Sequence, residues 1–142
     1  MMEPAKSFRD LIVWQKAHQL VLAVYRYSDN FPGKEMYCLI PQLRRAAISV
    51  PANIAEGFKK KSKPDKVRYM NISQGSLEEV RYYLILAADL GYGNSDKLSD
   101  DLDIVSKMLE GYMSSIRKSI SMKVPQSQNK FNIQNSNSNI HE

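Results

Sequence analysis

A dense group of charged side chains lies in residues 59–68, which we call the basic segment. It contains six cations and a single acid, Asp65. Six minus one gives +5, which equals the net charge of the whole chain, so all the other charges cancel. Clustered cations bind phosphates, because each phosphate contact releases condensed counterions. A solvated, flexible connection is the alternative interpretation of such a run. The residues expected to contact phosphates are Lys59, Lys60, Lys61, Lys63, Lys66 and Arg68.

Aromatic side chains that could stack on bases are scarce beside this segment. Phe58 precedes it and Tyr69 follows it. Proteins that bind single strands without sequence preference stack successive bases on several aromatic rings. Two rings are too few for such stacking. The pattern therefore favours contacts with the backbone of RNA or DNA, without a choice between the two.

A second group of polar residues recurs along the predicted second and third helices. Residues 75–79 (GSLEE) carry two adjacent carboxylates, and a stripe with a period of seven contains Glu35, Gln42, Ser49 and Glu56. Half-buried polar groups must be paired, and arginine is well suited to carboxylates. We therefore favour ion pairs that fix the helix register or join subunits, with arginines facing phosphates as the alternative. The expected network consists of Arg44, Arg45, Glu56, Glu78 and Glu79.

Residues typical of catalytic and metal sites are few. The two histidines, His18 and His141, both lack the Glu-x-x-His spacing of di-iron bundles. His18 is expected beside Trp14 at the edge of the core, and the single cysteine, Cys38, is expected to pack in an apolar turn. A glycine-rich phosphate loop is also missing. The sequence therefore predicts a protein that is not an enzyme and uses neither metal nor cofactor.

The spacing of apolar residues predicts an all-α fold. Hydrophobic residues make up 43% of the chain and charged residues 25%, as in ordinary globular domains. Glycine and proline divide the chain into four segments with helical periodicity. Their short connections predict an antiparallel up-down-up-down four-helix bundle. We expect helices at Arg9–Asp29, from Lys34 or Glu35 to Gly57, at Pro64–Leu90, and from Ser95 or Asp96 onwards.

The helical periodicity also predicts the core. In the first helix the expected core residues are Val13, Ala17, Leu20 and Val24, which share a face with Trp14, Val21 and Tyr25. In the third they are Val67, Met70, Leu77, Val80, Leu84 and Ala88. In the fourth they are Leu98, Leu102, Val105, Leu109, Tyr112 and Ile116, which follow a four-three spacing.

The second predicted helix is apolar on more than one side. Because a chain of 142 residues is too small to surround a helix completely, this pattern predicts self-association. Pro41 and Pro51 remove backbone donors, which predicts a kink or a short break; alternatively, Pro41 opens the helix after a separate turn. One face contains Leu39, Leu43, Ala46, Ala47, Val50 and Ile54, and the second strip contains Ile40, Ile48, Pro51 and Ala55.

Length and composition predict one domain at residues 1–120. Residues 121–142 are rich in Asn, Ser and Gln, so we expect a disordered tail, either dispensable or an adaptable contact arm. The apolar stretches are too short or too interrupted by charges to predict a membrane span, and we expect no secretion signal. With its single cysteine, these features favour the reducing cytoplasm.

Five ordered blocks resemble the four-helix-bundle family named after the 23S rRNA intervening-sequence protein, which also includes accessory proteins of diversity-generating retroelements. The resemblance covers roughly residues 8–118. It implies a homopentameric ring of antiparallel bundles, a basic surface that binds nucleic acid and, in the retroelement branch, association with a reverse transcriptase. It implies no catalytic activity. The blocks are residues 11–17 (LIVWQKA), 31–35 (FPGKE), 42–46 (QLRRA), 49–57 (SVPANIAEG) and 75–79 (GSLEE).

The charge pattern and the resemblance together predict a non-enzymatic oligomer that binds RNA or DNA through phosphates. It would act as an accessory factor to a nucleic-acid enzyme such as a reverse transcriptase. The alternative is a protein-interaction scaffold whose ring binds a protein partner and has no physiological role with nucleic acid.

Overall fold

The computed structural model describes residues 3–123, with side chains described for residues 3–121. Four α-helices fill most of this range, and no strand occurs within it, so the predicted all-α four-helix fold is confirmed. None of the helices in this range is both long and apolar enough to cross a membrane. The helices are α1 (Ile12–Ser28), α2 (Leu39–Lys59), α3 (Lys63–Asp89) and α4 (Asp96–Lys123), with 3₁₀ turns at Phe8–Asp10 and Gly33–Glu35.

The predicted tail falls almost entirely outside the described residues. Residues 121–123 continue α4, so the helical domain extends past the expected boundary at residue 120. The expectations for residues 124–142 concern residues that are not described.

α1 begins later than predicted, because the chain first forms a capped turn. The Ser7 hydroxyl accepts a hydrogen bond from the Arg9 amide at 3.1 Å, and the Asp10 carboxylate accepts one from the Ser7 amide at 3.2 Å. These reciprocal contacts form a capping box. Hydrogen bonds from the amides of Lys6 and Ser7 lower the pKa of Asp10. Leu11, which is extended, then separates the turn from the helix.

α2 begins at Leu39 after a separate turn, which confirms the alternative that Pro41 opens the helix. Proline suits the first turn, where its missing amide donor has no helical acceptor. The helix runs continuously through the buried Pro51, so of the two predicted outcomes the short break does not occur and the kink stays a prediction. It also continues past Gly57 to Lys59, because Gly57 does not take the positive φ of a terminating glycine.

Most of the predicted core positions are buried, but the ends of two seams are not as predicted. Ala88 is exposed while Ala87 is buried, and Met113 is buried while Tyr112 and Ile116 are only half-buried. A straight helix drifts by about 20° per heptad relative to a seven-residue repeat, so a strict repeat leaves the core after a few turns. Val67 is also half-buried.

α2 and α3 form the most extensive helix pair in the bundle. Gly57 is buried, and a methyl group at this position would lie 2.6 Å from Met70 Cε and 2.9 Å from Tyr69 Cβ. Further along the pair, the Ser73 hydroxyl donates to the Val50 carbonyl at 2.9 Å. Small residues at these points let the two backbones approach closely. α1 packs against α2 and α4, and α4 packs against α3, so all four helices share the core.

The second apolar strip of α2 is largely covered by the chain itself. Pro51 is buried, Ile40 and Ala55 are half-buried, and Ile48 is 43% exposed. α1 and the 3₁₀ turn before it pack against α2. The premise that α2 leaves a whole apolar flank uncovered is therefore wrong, and Ile48 is the one residue of the strip that is exposed enough to contribute to self-association.

Candidate nucleic-acid interface

The six cations of the basic segment lie where α2 ends and α3 begins. Residues 60–62 form the entire connection, so the turn is tight. The Ser62 hydroxyl caps α3 by accepting a hydrogen bond from the Asp65 amide at 3.2 Å, and Pro64 occupies the first turn. This short, capped connection gathers the six side chains at one end of the α2–α3 pair.

Two of the six cations make contacts inside the bundle. Lys66 Nζ donates to the Phe58 carbonyl at 2.6 Å and lies 3.5 Å from the Gly57 carbonyl, at the end of α2. The last carbonyls of a helix lack the usual amide donor; the Gly57 carbonyl accepts from the Lys60 amide at 3.2 Å, and Lys66 satisfies the Phe58 carbonyl, so Lys66 acts as a C-terminal cap. Burial lowers the pKa of Lys66. Lys63 Nζ contacts the Ser119 hydroxyl, which links the start of α3 to α4.

The other four cations face outwards or lie on an aromatic ring. Lys60 Nζ is 5.0 Å and Arg68 Cζ is 5.1 Å from the centroid of the Tyr69 ring. Arg68 Nε also lies 3.9 Å from the Asp65 carboxylate, but both side chains are mostly exposed, so this pair adds little stability. The Tyr69 ring is thus covered by the chain's own cations. Within the basic segment, the cations that are exposed and have no partner among residues 3–121 are Lys59 and Lys61.

Arg44 is paired with α1 and not with the acids that the sequence suggests. Its Nη2 donates to Asp29 Oδ1 and its Nε donates to Ser28 Oγ, both at 2.8 Å. The guanidinium also lies 4.4 Å from the centroid of the Tyr25 ring. Within the chain, the expected pairing of Arg44 with Glu56, Glu78 or Glu79 is therefore wrong, because its guanidinium is engaged by residues at the end of α1.

Glu78 is paired along its own helix. Its carboxylate lies 3.3 Å from Arg81 Nε, and Arg81 Nη1 reaches Asp103 of α4 at 2.8 Å. The hydrogen bond to Asp103 raises the pKa of Arg81. The expected network therefore does not form within one chain, and pairing between subunits stays a prediction. Its members that make no ion pair within residues 3–121 are Arg45, Glu56 and Glu79.

The polar stripe of α2 faces hydroxyl groups of α3. The Ser76 hydroxyl donates to Ser49 Oγ at 2.8 Å, and the Tyr83 hydroxyl donates to Gln42 Oε1 at 3.0 Å. The seven-residue spacing indicated that α2 has a polar edge, but it gave no sign of these partners on α3. The two bonds satisfy polar groups along the helix pair and set its register.

The remaining reactive side chains are structural. His18 is half-buried and stacks on Trp14, with ring centroids 5.3 Å apart and planes 6° apart, as expected for the edge of the core. Cys38 is exposed at the start of α2, so the prediction that it packs in an apolar turn is wrong. Residues 3–123 contain no group of three His, Cys, Asp or Glu that could hold a metal ion.

Comparison with curated proteins finds no match. Among solved structures, a protein of unknown function from the S23 ribosomal protein family of Bacteroides thetaiotaomicron is 21% identical, with a TM-score of 0.65. The alignment covers 72% of this chain and 98% of that one, and this likeness shows the fold alone. The family model of the 23S rRNA-intervening sequence protein matches residues 9–111, more than half of the chain. The protein therefore belongs to the 23S rRNA-intervening sequence protein family.

Proposed function

We propose that this protein is a non-enzymatic, oligomeric, cytoplasmic protein that binds RNA or DNA through phosphates. One observation carries the proposal: six cations and a single acid are gathered where α2 meets α3. Charges of one sign on a low-dielectric surface raise the local concentration of a polyanion. Because the rest of the chain is electrically balanced, this segment is the natural place for such a contact.

The contacts within the basic segment support a ranking of the six cations. Lys59 and Lys61 are exposed without partners and can meet phosphates at no cost to the fold. Lys60, which is half-buried, and Arg68, which is exposed, lie on the Tyr69 ring, and a cation–π contact near the surface, worth about 0.5–1 kcal/mol, is readily exchanged for a phosphate. The cations expected to contribute least are Lys63 and Lys66, which would first have to leave their partners in the bundle.

We further propose that the helices form an antiparallel up-down-up-down bundle and that copies join in a homopentameric ring, as the family resemblance implies. Exposed apolar side chains support self-association: Ile48 is 43% exposed and Ile72 is 44% exposed. Linking copies increases avidity without any new kind of contact, because each further phosphate contact becomes intramolecular. A ring would therefore turn several weak basic segments into one useful surface.

The dependence of binding on salt tests the proposal. The logarithm of the binding constant for duplex nucleic acid should fall linearly with the logarithm of salt concentration, with a slope of about −0.9 per phosphate contacted. Replacing Lys59 and Lys61 by Gln should reduce the magnitude of that slope by about 1.8 for each copy in contact. Fluorescence polarisation with a labelled duplex, measured at several salt concentrations, provides the slope.

A matched control removes two positive charges elsewhere. Lys16 of α1 and Lys107 of α4 are both exposed, so the Lys16→Gln/Lys107→Gln variant has the same net charge as the test variant. This control should keep the slope of the wild type. Absence of binding at low salt, or equal slopes for the two double variants, would show that the basic segment is not the interface.

The scaffold function is the rival, and two exposed side chains favour it. Met36 and Tyr37, between α1 and α2, are 56% and 88% exposed, and such residues are frequent at protein interfaces. One stoichiometric protein recovered from nuclease-treated lysate, and lost with the Met36→Ser/Tyr37→Ser variant, would support the scaffold. A reverse transcriptase recovered in the same way would support the accessory role, which currently rests on the family resemblance.

A further inference from the structure

A polar groove of about 330 Å³ lies between α2 and α3, apart from the basic segment. Its wall is made by the two side-chain pairs that join the helices, Ser49 with Ser76 and Gln42 with Tyr83. Because these groups bind each other, the wall is already satisfied and needs no ligand. The polar side chains of the groove that remain without a partner therefore lie on its rim.

The rim carries one cation and one anion. Arg45 of α2 and Glu79 of α3 both line the groove, both are exposed, and neither has an ion-pair partner within residues 3–121. Their neighbours in sequence differ in this respect, since Arg44 is paired with Asp29 and Glu78 with Arg81. Arg44 and Glu78 are thus paired within the chain, whereas Arg45 and Glu79 are left on the same outer face.

Apolar side chains flank the two charges. Ile48 follows Arg45 by one helical turn on α2, and Ile72 precedes Glu79 by two turns on α3, so each lies on the same side of its helix as the charge. They are 43% and 44% exposed. Apolar area of this kind supplies affinity, while opposite charges supply orientation and exclude wrong partners.

We propose that this α2–α3 face binds a second copy of the chain, with Arg45 of one copy against Glu79 of the other. Because each copy presents one charge of each sign, Arg45 of one copy can meet Glu79 of the next around a ring, whereas a nucleic acid would meet an unfavourable carboxylate. The inference rests on the self-association in the proposed function and assigns it a surface. It leaves the basic segment of every copy free for phosphates.

Exchange of charge between copies tests this assignment. The Arg45→Glu variant and the Glu79→Arg variant each place like charges at the contact, so each should weaken self-association by at least about tenfold. An equimolar mixture of the two variants restores opposite charges wherever unlike copies meet, which is at four of the five contacts of a ring, so the mixture should associate more strongly than either variant alone. Sedimentation velocity of nuclease-treated protein measures this at micromolar concentration, and circular dichroism verifies that each variant is folded.

The mixture separates contacts between copies from contacts within one chain. If Arg45 and Glu79 interacted only within their own chain, the mixture would behave as the two variants do separately. The Arg26→Glu variant is the matched control, because Arg26 is an exposed arginine on α1, and it should associate normally. A wild type that associates together with both variants would overturn the assigned surface but leave self-association intact. A monomeric wild type would instead overturn the oligomer of the proposed function, and this assignment with it.

Discussion

The close contact between α2 and α3 at Gly57 allows a quantitative prediction for the Gly57→Ala variant. The added methyl carbon would lie 2.6 Å from Met70 Cε, but that atom ends a flexible side chain and can move. It would also lie 2.9 Å from Tyr69 Cβ, about 0.5 Å short of ordinary contact at 3.4 Å. Because Tyr69 Cβ is fixed to the backbone, the two helices must separate.

Two opposing effects determine the size of the change. Alanine is better than glycine inside a helix by about 0.8–1 kcal/mol, whereas overpacking a tight contact costs about 1–3 kcal/mol. Here the rigid contact with Tyr69 places the cost in the upper part of that range, so the net loss of stability is about 1–2 kcal/mol. The corresponding fall in Tm is about 4–8 °C for a domain of this size.

The Gly75→Ala variant is the matched control. Gly75 lies inside α3, is exposed, and has no atom within 4 Å of an added methyl carbon. It therefore gains the helix preference alone and should stabilise the protein by about 0.5–1 kcal/mol. Urea unfolding followed by circular dichroism measures both variants, at one fixed protein concentration because association also contributes to stability. If Gly57→Ala is as stable as Gly75→Ala, the inferred helix approach is wrong.

Three further predictions concern polar contacts. Arg44→Ala should lower the free energy of unfolding by about 1–3 kcal/mol, because it removes charge-assisted bonds to α1; a change below about 0.5 kcal/mol by urea titration would contradict this. Lys66→Met removes the cap of α2 and should cost about 0.3–1 kcal/mol, while the salt slope of nucleic-acid binding, measured by polarisation, stays unchanged. The hydrogen bond from Tyr92 to the Glu35 carboxylate, at 2.6 Å, raises the pKa of Tyr92 above 10.0. The stability from this bond is present below pH 10 and is lost as pH rises through the raised pKa, so thermal unfolding of Tyr92→Phe should depend less on pH in that range than the wild type does.

Much of the fold could be predicted from local sequence. The number of helices follows from apolar spacing and from glycine and proline at the connections, which are properties of neighbouring residues. The positions of Leu43, Leu77 and Leu102 in the core follow from the same spacing, and all three are fully buried. Periodicity shows which side of a helix is apolar, and a bundle buries that side whatever the arrangement of its helices.

Errors arose where burial depends on a neighbouring helix. The seven-residue spacing indicates Tyr112, but the core takes Met113, because the direction that α4 presents to the bundle changes along its length. Likewise, the sequence predicts that Pro51 and Ile40 lie on an uncovered flank of α2. In the structure, α1 and the turn before it pack against α2, Pro51 is buried and Ile40 is half-buried. The shift to Met113 follows from the drift of a straight helix relative to a seven-residue repeat, whereas the burial of Pro51 and Ile40 depends on how other parts of the chain pack against α2.

The candidate site shows the same division. A count of charges locates the basic segment, because net charge is a sum over residues and needs no coordinates. The count does not reveal that Lys66 caps α2 or that Lys63 contacts α4. The polar residues of the second and third helices predict arginine–glutamate pairs, whereas Arg44 binds Asp29, which directly follows α1. Long side chains reach several possible partners, and only the packing of helices selects among them.

By itself, the sequence determined that this chain forms four helices with a shared apolar core and that its excess positive charge lies in the basic segment. Apolar spacing and net charge can both be read from the order of the residues without coordinates. Tertiary structure decided which cations remain available and which acids stay unpaired. The physical reason is distance: ion pairs and hydrogen bonds act over a few ångströms, and helices far apart in sequence come that close only after they pack.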